Sequence, residues 1–180
     1  MDKDKIVVET IRAVIEWKRA CAPELNLEQA CFYWSVVGAT HLCHKGIKAN
    51  VMAGSMSWPR IKLPEEDDGI INTHFSYIWE PNSPATIKAI LEGRMPEMHV
   101  WIYLLDTDEI IDLTTRYLVS QCTKLTGMRW SAPPPPDYLW CNRNDLPPDV
   151  VYQEHDSANK FAITLLIKIF NGPDPIFIDL

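Results

Sequence analysis

Three residue types that together support thiol-based acyl transfer occur in this chain in a workable order. Cys31 lies in Gln29-Ala30-Cys31-Phe32-Tyr33-Trp34-Ser35, near the head of a long apolar run with helical spacing. His99 opens the strand-like run His99-Val100-Trp101-Ile102-Tyr103-Leu104, and Asp112 lies in the next one, Glu109-Ile110-Ile111-Asp112-Leu113-Thr114. A thiol attacks a carbonyl as the thiolate, so it needs a base, and the base needs a carboxylate to orient it. Cys31, His99 and Asp112 are the candidates for these roles. The plainer reading of each is structural: free cysteines often serve as small buried apolar residues, and Asp112 could simply cap a turn.

These residues can meet only if particular elements hold them. Apolar residues near helical spacing predict an amphipathic helix over 4–20, broken by Cys21-Ala22-Pro23. Asn26, with Gln29 three residues on, has the capping-box pattern and predicts a second helix from about Leu27 to Lys45, stopped at Gly46. Cys31 would then sit within about its first turn, where the helix dipole favours an anion. The run Ala30 to Val37 is apolar nearly all round, so this helix should be central, and Gly38 within it predicts a close approach by another backbone. In the strands, side chains alternate between faces. A four-residue loop from Leu105 to Asp108 pairs Leu104 with Glu109, Trp101 with Asp112 and His99 with Thr114. That register sets His99 and Asp112 diagonally on one face, whereas a loop one residue longer or shorter separates them.

Elsewhere the pattern predicts strands at 47–53 and 73–79, a short helix at 85–92 and a last helix at about 158–170, capped by Asp156 or Ser157. Tyr117 to Leu125 fits strand or helix. Ser131 to Pro136 must be an extended surface connection, and Ile176 to Ile178 reads as a short strand. The expected fold class is α+β, with N-terminal helices packed on a mainly antiparallel sheet, in a single domain over residues 1–180.

Composition narrows the partners. An apolar fraction of 47% supports a packed core, and a net charge of −7 without a Lys/Arg cluster argues against nucleic acid. The acidic run Glu65-Glu66-Asp67-Asp68 reads as a solvated loop. No apolar stretch is long enough to span a bilayer and no signal-peptide pattern opens the chain, so a cytoplasmic protein without membrane contact is expected. The five cysteines include no Cys-x-x-Cys pair, which favours reduced thiols. His41-Leu42-Cys43-His44 places its residues on different helix faces, so neither metal nor cofactor is expected.

The motifs resemble the transglutaminase-like branch of the papain-like fold. That family carries a Cys at a helix start, then Gly-Ile-Pro-Ala and a strand ending in Gly. Here Cys31 is followed by Gly46-Ile47-Lys48-Ala49 and Asn50-Val51-Met52-Ala53-Gly54. Its His-Ala-Trp-Val and following Asp appear as His99-Val100-Trp101-Ile102 and Asp112, and Cys31-Phe32-Tyr33-Trp34-Ser35 is similar to the Cys-x-x-aromatic-Ser of papain-type proteases. Lys48 replaces the usual Pro, Ala30 the usual Gly, and no Gln stands at the papain spacing. The resemblance covers about residues 26–115 and implies a Cys-His-Asp triad forming an acyl-enzyme from an amide or peptide bond, with a protein or peptide substrate. Oxyanion binding would use the Cys31 backbone N–H, with Trp101, Tyr33, Trp58 and Trp79 as candidates for the second donor or for substrate contact. Alternatives are an inactive binding or adaptor module of the same fold, and a thiol acyltransferase of the transglutaminase or arylamine acetyltransferase type.

Overall fold

Local capping sets the ends of the first helices. In the computed structural model, which describes residues 2–61, 73–92 and 94–171, α1 spans Lys3–Cys21, starts where the Asp2 side chain accepts from Lys5 N–H, and buries Val7, Thr10 and Val14. The second helix differs from the expectation. Asn26 accepts from Glu28 N–H and so caps only a single 3-10 turn, Leu27–Gln29. The Trp34 indole then donates to the Leu27 carbonyl at 2.9 Å, the chain bends at Ala30, and α2 runs Cys31–His44. Cys31 is thus the first residue of its helix rather than one turn inside it. α2 buries most of its length, and Gly46 follows it at φ +79°, a conformation in which glycine is unstrained.

The space at Gly38 is taken by side chains, not by the backbone that its position suggested. A Cβ there would lie 2.8 Å from Ile102 Cδ1 and 3.3 Å from Leu113 Cδ1. α2 therefore lies tight against the sheet, and Ser35 Oγ donates to the Val100 carbonyl at 2.9 Å, one residue from His99.

The strands are β1 Ala49–Pro59, β2 His74–Tyr77, β3 His99–Leu104, β4 Glu109–Asp112, β5 Leu139–Asn142 and β6 Val151–Glu154. They form one curled antiparallel sheet in the order β2-β1-β3-β4-β5, with β6 also paired to β1. β1 continues well past the expected end at Ala53 because it pairs with three strands in succession. Gly54 is therefore mid-strand, flanked by His99 and Glu154. The remaining helices are α3 Pro84–Leu91, α4 Leu118–Thr126, which resolves the ambiguous segment, and α5 Asp156–Asn171. Residues 133–136 form an irregular, mostly exposed connection, as expected. The expected acidic loop at 65–68 and strand at 176–178 lie outside the described residues.

Two apolar clusters result. One fills the layer between α1, α2, α5 and the sheet, and includes Trp34, Leu42, Val100 and Ile102. The other lies within the curl and includes Met56, Trp58, Trp101, Leu118 and Tyr152. No helix among the described residues is long and apolar enough to cross a membrane.

Gly54 is the position where a methyl group should do most harm. A Cβ there would lie 2.0 Å from the Gln153 carbonyl oxygen, which is backbone and cannot rotate away. Gly54→Ala should lower stability by about 2 kcal/mol or more, read as a reduced urea midpoint. An unchanged midpoint would contradict the close packing of β1 on β6.

Candidate active site

The β3–β4 hairpin brings His99 and Asp112 together. Its observed register pairs Leu104 with Glu109, Tyr103 with Ile110 and Ile102 with Ile111, which is the register expected from a four-residue loop. Asp108 takes a left-handed conformation at φ 53° and accepts from Tyr103 O–H at 2.8 Å, which fixes the loop. His99 Nε2 then lies 2.7 Å from Asp112 Oδ2, with both residues only 1% exposed.

The carboxylate is fully occupied. Oδ1 accepts from Thr114 N–H at 2.7 Å and Thr114 O–H at 2.6 Å, and Oδ2 accepts from Tyr152 O–H at 2.7 Å as well as from His99. Burial works against the charge of Asp112, but the imidazole and these donors outweigh it and hold its carboxyl below the usual range. For His99, burial likewise opposes the cation. The charge and hydrogen bond of Asp112 prevail, with a contribution from Cys31, and push the imidazole up to about 10. Burial foremost, then the Asp112 charge, raises the Tyr152 phenol well above its usual value, so it remains a proton donor. Aromatic rings box the imidazole: Tyr77 stacks at 5.6 Å between centroids, Trp101 at 6.3 Å, and Tyr152 tilts at 6.0 Å.

With Nε2 committed to Asp112, His99 Nδ1 is left buried with no formed hydrogen bond. The half-buried Cys31 thiol interacts with the imidazole closely enough to raise its proton affinity, short of a formed bond at Nδ1. Catalytic hydrogen bonds are often loose without substrate. Cys31 and His99 share the wall of a cavity of about 400 Å³, which Phe32, Tyr77, Glu97 and Gln121 also line.

The aromatic candidates for oxyanion or substrate contact are placed elsewhere, and none lines this cavity. Trp58 Nε1 donates to Tyr152 O at 3.3 Å, and Trp79 Nε1 donates to Ser157 Oγ at 2.8 Å. Tyr33 stacks on Trp17 at 5.4 Å, and Trp101 is buried behind His99. Each indole or ring is consumed by packing. Gln29, expected to complete a capping box with Asn26, instead lines the cavity.

Three residues near the site were not legible as such, and a fourth was. Tyr152 and Gln121 come from the part of the chain without recognisable motifs. Gln121 accepts from Tyr77 O–H at 3.0 Å and donates to the Glu28 carbonyl, so it ties the segment before Cys31 to the ring stacked on His99. Tyr77 itself was visible only as one aromatic of a strand. Thr114 did carry a signal: a threonine two residues after an aspartate suits local side-chain capping. All five cysteines are free, and no group of three His, Cys, Asp or Glu side chains among the described residues could hold a metal ion.

Comparison with known proteins finds no matching family model, curated protein or solved structure.

The buried pair has a definite pH signature. The raised affinity of His99 contributes stability fully below its ordinary value of 6.5, and this is lost as pH rises through about 10. The lowered affinity of Asp112 contributes above its ordinary value of 3.8, and this is lost as pH falls through its depressed folded value. The stability gap between the wild type and Asp112→Asn, measured from urea midpoints, should be widest between about pH 4 and 6.5 and close toward about pH 10. A gap that stays constant across that range would show that the pair shares no charge.

Proposed function

We propose that the chain is a thiol hydrolase with a papain-like, transglutaminase-type core, in which Cys31 attacks an amide or peptide carbonyl. The observation that carries this reading is the unpartnered, buried Nδ1 of His99 beside a thiol at a helix start and an open cavity. A histidine kept only for packing would leave that nitrogen unsatisfied at a cost of about 1–3 kcal/mol. A proton on Nδ1, held there by the Asp112 pair, is instead free to face the Cys31 sulfur as an imidazolium partner.

In the proposed reaction the thiol proton rests on His99 Nδ1 as part of the imidazolium, and the Cys31 thiolate adds to the carbonyl carbon, forming a C–S bond while the π pair moves to oxygen. The first N–H groups of α2 have no intrahelical acceptor, so the Cys31 N–H can receive that oxyanion. Gln29, whose side-chain amide is not engaged by the described residues, supplies the second donor. Collapse breaks the C–N bond and the amine leaves with the proton from His99. Water then adds to the thioester, His99 taking its proton, and the thiol returns as the acid departs. Asp112 keeps Nε2 as the donor throughout and stabilises the imidazolium. Hydrolysis is favoured over transfer because water requires no second binding site.

Alkylation kinetics test the assignment. Cys21 and Cys43 are exposed, whereas Cys31 is half-buried. If access alone governed reactivity, the exposed pair would react first. Cys31 should instead be the first thiol modified by iodoacetamide near neutral pH, read by mass spectrometry of peptides, and His99→Ala should slow it by about tenfold or more. Labelling led by Cys21 and Cys43 would remove the catalytic assignment.

A further inference from the structure

Resting on the thiol reading, we propose that the substrate is a basic, apolar peptide: one aromatic or branched side chain enters the cavity beside Cys31, and a neighbouring Lys or Arg pairs with Glu97.

The cavity walls dictate the first half. Phe32, Phe75 and Met98 are buried with faces on the cavity, and Tyr77, Met95 and Leu125 extend the apolar lining toward solvent. A void of roughly 150 Å³ suffices for a benzene ring, so about 400 Å³ accommodates a ring or branched chain together with the adjoining peptide atoms. Two methionines in the wall allow it to adapt to more than one apolar shape. Among the polar lining residues, Gln29 has a side-chain amide not engaged by the described residues, which suits a peptide backbone rather than a charged side chain.

Glu97 dictates the second half. It is the single carboxylate among the lining residues, and neither Lys nor Arg accompanies it. Its Oε1 accepts from Ile78 N–H at 3.2 Å, which ties the segment leading into His99 to the chain just past β2. No cation pairs with it among the described residues, so its charge is open to a ligand. Its position two residues before His99 keeps its Cα within about 7 Å of the His99 Cα, and both residues line the cavity. An acidic acyl group would meet Glu97, an apolar wall and a protein of net charge −7, all unfavourable to it.

The test uses acetyl-dipeptidyl vinyl sulfones, whose β-carbon is captured by a thiolate. Three kinds, each in both orders, are compared on the wild type: Lys with Phe, Lys with Asp in place of Phe, and Gln in place of Lys with Phe. In one of the two orders the Lys/Phe compound should inactivate about tenfold or more faster than its Asp counterpart. It should also be about threefold to fivefold faster than its Gln counterpart, an advantage lost in Glu97→Gln. Iodoacetamide labelling of the wild type runs alongside. Rapid modification of Cys31 without preference among the vinyl sulfones would overturn the substrate class and leave the thiol reading standing. Persistence of the Lys advantage in Glu97→Gln would overturn the role of Glu97. Failure of Cys31 to lead the iodoacetamide reaction would overturn both.

Discussion

A charged imidazole and a carboxylate can be withdrawn from water together only if each satisfies the other and the remaining lone pairs find donors. The His99–Asp112 contact meets that condition at 2.7 Å, and much of the surrounding chain is arranged to keep it met. Thr114 and Tyr152 fill the rest of the carboxylate, Trp58 backs Tyr152, and three rings close around the imidazole. Removing any one donor would leave a buried charge less compensated, so these residues form one unit and not a set of separate contacts.

That unit depends on long-range assembly. β4 supplies Asp112, β3 supplies His99, and β6, from much later in the chain, supplies Tyr152. The curl of the sheet lets a β6 side chain reach β4, and Gly54 permits the close contact of β1 with β6. The helices work from the other side. The tight seat at Gly38 and the Ser35 bond to Val100 fix α2 against β3, which presents the start of that helix beside the end of the strand where His99 lies. Gln121 completes the link by joining Glu28 to Tyr77.

The cavity lies where these supports meet. Its lining brings together the thiol, the imidazole, two amides and one carboxylate among mostly apolar side chains. Trp58, Trp79, Tyr33 and Trp101 lie outside it and stabilise the layers that hold Cys31, His99 and Asp112.

The sequence by itself determined the α+β class and the β3–β4 register, because loop length and side-chain alternation are local. Once Leu104 opposes Glu109, His99 and Asp112 must share a face. It also marked Cys31 as near a helix start, and it indicated the exposed connection at 133–136. Tertiary structure decided the rest. The capping pattern at Asn26 was legible, but its choice of a 3-10 turn depends on the bend at Ala30 and on Trp34 reaching Leu27. β5 and β6 are four-residue strands whose pairing with β4 and β1 no local period announces. Tyr152, Tyr77, Gln121 and Glu97 acquire their roles only from neighbours distant in sequence. The physical reason is the range of the interactions: register and capping act over a few residues, whereas burial and hydrogen-bond partners are fixed when separate segments pack.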